Sequence, residues 1–139
     1  MAVKAKELRY AVGLSTTGQL TDENGVALDT PPEWSAEHLL LAALIRCSLE
    51  SLRHHARRKN VEVSSASGGG RTLVTRQESD GRYAMVKTEV ELDVELEPEP
   101  EPAALTELLG LAKRDCFVGS SLTAEPSYRW TVNGKAAAP

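Results

Sequence analysis

The reading of this chain turns on Ser35-Ala36-Glu37-His38-Leu39-Leu40-Leu41-Ala42-Ala43-Leu44-Ile45-Arg46-Cys47. The stretch follows Pro31-Pro32, which breaks regular structure, and no glycine or proline interrupts the chain from Ala36 to Lys59. Ser35 is a suitable N-cap, with His38 rather than Glu three residues on. Leu40, Ala43, Leu44, Cys47, Ser48, Ser51 and His54 recur at helical spacing. The spacing predicts a helix over 36–59. Its first half, through Ile45, is apolar nearly all round, which predicts a central helix covered on several sides. Its second half turns basic at Arg53, Arg57, Arg58 and Lys59, which suits the negative end of a helix dipole.

Strand patterns lie on both sides. Upstream, Val3 to Leu20 reads as strand-rich, and Asn24-Gly25 is a hairpin signal with Val26-Ala27-Leu28 returning from it. Downstream, Val61-Glu62-Val63 opens a strand, Gly68-Gly69-Gly70 reads as a flexible tip, and Arg71 to Gln77 as a second strand piece. Ser79-Asp80-Gly81-Arg82 is a turn. Val86, Thr88, Val90, Leu92, Val94 and Leu96 then alternate with Lys87, Glu89, Glu91, Asp93 and Glu95, a strand with one buried and one acidic face. Pro98, Pro100 and Pro102 end it. A helix over 103–114, Cys116, a last strand over 128–132 and a frayed tail complete the chain. Strands, a long helix, strands, a helix and a strand make an α+β fold with mostly antiparallel strands.

The 139 residues suit one domain, 1–139, able to bury a core without disulfides. A net charge of −4 argues against nucleic acid as the partner, because phosphate binding needs a basic footprint. The longest apolar run, Leu39 to Ile45, is far short of a membrane span. Met1 to Lys6 has no apolar segment of the signal-peptide kind, so the expected compartment is the cytoplasm. Thiols there are kept reduced, and two cysteines point to redox chemistry, metal binding or no chemistry before they point to a structural disulfide.

Cys47 alone reads first as a small buried apolar side chain. Cys116, in Asp115-Cys116-Phe117-Val118-Gly119-Ser120-Ser121-Leu122, follows a helix beside a small-residue turn. The two do not form Cys-x-x-Cys. His38, His54 and His55 have no ligand spacing with them, so neither metal nor cofactor is expected. The glycine triplet lacks the lysine and helix of a phosphate loop. Glu50, three after Cys47, would raise the thiol pKa unless Arg46 or Arg53 neutralises it, and Arg46, four before Glu50, is well placed to pair with it. His54 reads as structural or solvated.

The stretch from Ser35 to Cys47 resembles the OsmC/Ohr signature, in which Pro-Glu-x-Leu-Leu leads through an Ala-rich helix to a reactive cysteine. Cys116 to Leu122 resembles the second motif of that family, Cys-Pro-x-Ser before a short apolar helix. Ala36 and Phe117 stand where the family has proline. The resemblance implies a thiol-dependent peroxidase acting on organic hydroperoxides or hydrogen peroxide. It implies that Cys47 attacks peroxide and becomes a sulfenic acid, and that Cys116 resolves it as a disulfide. A dithiol, in the family often a lipoyl group, is the implied reductant. An arginine held by the residue matching Glu37 is implied to activate the thiolate, and Arg9 is the one arginine in the N-terminal region.

Ten residues at about 1.5 Å each separate Glu37 from Cys47 by roughly 15 Å along one helix. One chain cannot join them, whereas two antiparallel copies of the helix can. The resemblance implies the same arrangement, an intertwined homodimer with its active site at the subunit interface. The rival expectation is an OsmC-like binding or structural dimer with weak or no peroxidase activity.

Overall fold

The computed structural model describes residues 4–139. The chain divides into two compact units, Met1–Ser35 and Ala36–Pro139. The first holds a three-stranded antiparallel sheet, β1 (Val12–Leu14), β2 (Leu20–Asp22) and β3 (Ala27–Leu28). Strand structure between Val3 and Leu20 is thus confined to β1 and the start of β2, with Val3 itself outside the described residues. The Ser15 N–H donates to the Gln19 carbonyl, and Gly18 at φ +87° closes the bend that sets Leu14 opposite Leu20. The Asn24-Gly25 turn is present. Asp22 Oδ1 accepts from the N–H groups of Asn24 (2.8 Å) and Val26 (2.9 Å), and Gly25 takes φ +82°.

The second unit runs α1 (Ala36–Arg58), β4 (Glu62–Arg76), β5 (Tyr83–Glu97), α2 (Pro102–Arg114), α3 (Phe117–Ser120), β6 (Ser127–Val132) and β7 (Lys135–Ala137). Its sheet is ordered β4-β5-β6-β7, antiparallel except for the parallel pair β5–β6. The architecture is α+β with a long helix, as the element order implies. β5 carries the alternation into space: Thr88, Val90, Leu92, Val94 and Leu96 are buried, and Lys87, Glu91, Asp93 and Glu95 are exposed. The buried row meets Leu44, Leu52 and Ala56 of α1, Leu108, Leu109 and Ala112 of α2, and Trp130 and Val132 of β6 in one core. Pro102 stands at the start of α2, where its missing N–H costs nothing.

Three expectations change. Gly68-Gly69-Gly70 is not a flexible tip. It lies inside β4, paired with Leu92, Glu91 and Val90, and 62–76 is one strand with two irregularities. The glycines serve close approach: a Cβ on Gly68 would fall on the Glu91 carbonyl, and one on Gly70 would sit 3.5 Å from Leu41 and Ile45 of α1. The tail is not frayed. Asn133 (φ 50°) and Gly134 (φ 80°) form a tight turn into β7, another Asn-Gly hairpin. The apolar half of α1, expected to be covered on several sides, is covered only in part within the single chain, since Ala42 and Ala43 are exposed and Leu39 to Leu41 half-buried. Burial concentrates on Leu44, Ser48, Ser51, Leu52 and Ala56. Among the described residues no helix is long and apolar enough to cross a membrane.

Candidate active site

α1 places Cys47 beside a polar stripe. Ser48, Ser51 and His55 fall at spacings of three and four, so they share one helix face. Each reaches the segment that ends α2 and leads into α3. Ser51 Oγ donates to the Ala112 carbonyl at 2.8 Å, and His55 Nε2 lies 2.8 Å from Asp115 Oδ2. Ser48 Oγ lies 3.6 Å from Cys116 Sγ. These three contacts hold residues 112–116 along the helix and bring Cys116 to Cys47. Cys116 is fully buried and caps α3, its sulfur accepting from the Gly119 N–H at 3.4 Å. Both cysteines are free thiols.

Cys47 is half-buried on the wall of a cavity of about 340 Å³, with Glu50, Ser51, His54, His55, Asp115 and Phe117 around it. Burial pushes its thiol pKa above the ordinary 9.0, and the adjacent Cys116 thiol pushes the same way. The backbone N–H groups of Val118 and Phe117 pull it down but do not win. Arg46 Nε reaches Glu50 Oε1 at 3.3 Å, the pairing expected from their spacing. Asp115 is held below its ordinary value by the Arg114 guanidinium, with a smaller share from His55. His54 meets His55 edge-on at 5.1 Å, at the far end of the cavity from Cys47 in helix rise. Among the described residues no group of three or more His, Cys, Asp or Glu side chains could hold a metal ion.

The structure therefore joins two of the four expected site residues, Cys47 and Cys116. Glu37 occupies the first turn of α1, ten residues from Cys47 and off the cavity wall. Arg9 belongs to the N-terminal unit, exposed, with its guanidinium 2.9 Å from Glu7. Sequence reasoning missed Ser48, His55, Asp115 and Tyr128 as partners around the thiols. The helical stripe Ser48, Ser51, His55 was the available signal, since such a polar row inside an apolar helix needs polar partners.

The family model for OsmC-like proteins matches residues 29–131, most of the chain and both cysteine segments. The chain belongs to the OsmC-like protein family. Solved structures agree with this OsmC-like assignment at the level of fold. An OsmC-like protein of unknown function from Vibrio cholerae superposes with a TM-score of 0.71 at 16% identity, over 91% of this chain and 99% of that one. The organic hydroperoxide resistance protein of Bacillus subtilis gives 0.55 at 20% identity, over 90% and 96%. That of Elizabethkingia anophelis gives 0.61 at 15% identity, over 93% and 98%. A search of the curated proteins finds no match.

Proposed function

We propose that this OsmC-like chain is a thiol-dependent peroxidase for organic hydroperoxides or hydrogen peroxide. One observation carries the reading: two free thiols, from elements far apart in sequence, stand beside each other, Cys47 on a cavity wall and Cys116 buried behind it. The Cys47 thiolate attacks the terminal peroxide oxygen, the O–O bond breaks, and Cys47 becomes a sulfenic acid while an alcohol or water leaves. The Cys116 sulfur then attacks the Cys47 sulfur. An S–S bond forms, the S–O bond breaks, and the Cys116 proton leaves with the hydroxide as water. A dithiol, such as a lipoylated protein of the cytoplasm, reduces the disulfide. Membership of the family and the fold shared with hydroperoxide resistance proteins support this reading.

With its pKa raised, the Cys47 thiol needs a cation beside it for this chemistry to run at neutral pH. A homodimer of two 1–139 domains supplies it in our reading, with Glu37 of one chain holding an arginine, Arg9 being the N-terminal candidate, near Cys47 of the other. The uncovered apolar half of α1 supports such an association. The raised pKa equally favours a second reading, a binding or structural dimer without peroxidase activity. Consumption of cumene hydroperoxide by wild type, Cys47→Ser and Cys116→Ser separates the two. The first reading expects turnover in wild type, none in Cys47→Ser, and a trapped sulfenic acid or mixed disulfide in Cys116→Ser. No turnover in wild type leaves the second, and unchanged turnover in Cys47→Ser overturns the first.

A further inference from the structure

Behind Cys116 lies a buried hydroxyl that neither cysteine motif mentions. Ser48 is 1% exposed, and its Oγ touches three groups at once: the Leu44 carbonyl at 2.7 Å, the Tyr128 hydroxyl at 3.0 Å and Cys116 Sγ at 3.6 Å. A serine hydroxyl has a single proton to give and two lone pairs to accept with. The short contact to the Leu44 carbonyl takes the proton, because a carbonyl can only accept. Its two lone pairs are then open to the other two groups, to the Tyr128 O–H and to the Cys116 S–H. Tyr128 stays a donor at every relevant pH, since burial pushes its pKa up to about 12. Its ring is fixed by stacking on Trp130 at 5.9 Å and 11°.

When Cys116 attacks, it must give up the proton it shows to Ser48. The Ser48 hydroxyl can then rotate from the Leu44 carbonyl to the bared sulfur with no heavy atom moving, while Tyr128 continues to donate to Ser48 Oγ. We infer that Ser48, backed by Tyr128, is a positioning residue for the second thiol, a hydroxyl rotor that accepts from the Cys116 thiol at rest and donates to its thiolate during disulfide closure. The balance is that of the resolving step: the S–S bond forms at Cys47, and the Cys116 proton departs with the leaving group. This inference rests on the proposed pairing of Cys47 with Cys116, but its test needs no peroxide.

The probe is Ellman's reagent, an aromatic disulfide. Cys47, the more accessible thiol, attacks it and releases one thionitrobenzoate. Cys116 then attacks the Cys47 mixed disulfide and releases a second, and Cys116→Ser marks the amplitude of the first release alone. In Ser48→Ala the ratio of second-release to first-release rate should fall about tenfold, the equivalent of ~1.4 kcal/mol. Tyr128→Phe keeps the stacked ring and should lower the ratio by about threefold, the smaller effect of an indirect donor. Ser48→Thr, which retains a hydroxyl, should recover most of the loss, whereas a role in packing alone predicts no recovery. A ratio unchanged in both Ser48→Ala and Tyr128→Phe overturns the inference, as does a wild type that releases only one thionitrobenzoate. Failure of the peroxidase reading shows separately, as intact thiols after hydroperoxide with normal double release from Ellman's reagent.

Discussion

The three consecutive glycines of β4 offer a test in which one substitution has opposite consequences at neighbouring positions. At Gly68 an added Cβ meets the backbone carbonyl of Glu91 on the paired strand and lies 3.0 Å from Leu92 Cδ2. A carbonyl in a sheet ladder cannot swing aside as a flexible side chain can. Gly68→Ala must therefore push β4 off β5, at a cost of about 1–3 kcal/mol for overpacking. At Gly69 nothing lies within 4 Å of the new methyl. There the substitution acts on the unfolded chain and should stabilise by about 0.4–1 kcal/mol. At Gly70 the methyl makes ordinary contact, 3.5 Å, with Leu41 and Ile45 on the helix that carries Cys47, and should be neutral or slightly stabilising. Urea unfolding of the three variants should place Gly68→Ala below wild type and the other two at or above it. The Gly68–Gly69 gap should be about 1.4–4 kcal/mol, summed from the two effects. A gap under about 0.5 kcal/mol, or Gly69→Ala as the weakest variant, would refute the claim that these glycines set the strand and helix approach.

Other outcomes follow from the site. Leu44→Ala removes a fully buried side chain that packs near Gly119 and Cys116 and should cost about 2–5 kcal/mol by chemical denaturation; a loss under about 1 kcal/mol contradicts the core as described. Asp115 has a depressed folded pKa, so its contribution to stability is present above the ordinary 3.8 and lost as pH falls through the lower folded value. The Tm difference between wild type and Asp115→Asn should accordingly be full at neutral pH and close below pH 3.8, and a gap independent of pH argues against the Arg114 and His55 pairing. The alkylation midpoint of Cys47 in the wild-type protein should stand above the ordinary thiol value in dilute solution, because burial and the Cys116 thiol raise it, and fall as chains associate. A midpoint independent of protein concentration removes the partner's cation from the account.

Much of the frame was legible because it rests on periodicity. The alternation from Val86 to Leu96 became β5 with Thr88, Val90, Leu92, Val94 and Leu96 buried and Val86 half-buried, and the uninterrupted run after Ser35 became α1. The glycine triplet was misread because a strand that needs glycine for close approach shows no alternation to read. The second hairpin was missed although Asn133-Gly134 repeats the signal read correctly at Asn24-Gly25. At the site, Cys47 and Cys116 were visible through their motifs. Their surroundings were not, because Ser48 and Ser51 bond to the carbonyls of Leu44 and Ala112, and a backbone acceptor has no sequence signature. The activating cation is the least legible part. The causes that lower the Cys47 pKa are backbone contacts to Val118 and Phe117, and Arg9 lies in the N-terminal unit.

The most direct test is a thiol count against hydroperoxide. Reduced protein is titrated with cumene hydroperoxide at a known protein concentration, and free thiols, sulfenic acid and disulfide are quantified by mass. The account predicts that wild type loses both thiols to an intramolecular disulfide for each hydroperoxide consumed, that Cys116→Ser stops at a sulfenic acid on Cys47, and that Cys47→Ser keeps Cys116 reduced. Wild type with both thiols intact after excess hydroperoxide, or Cys47→Ser consuming it at the wild-type rate, would contradict it.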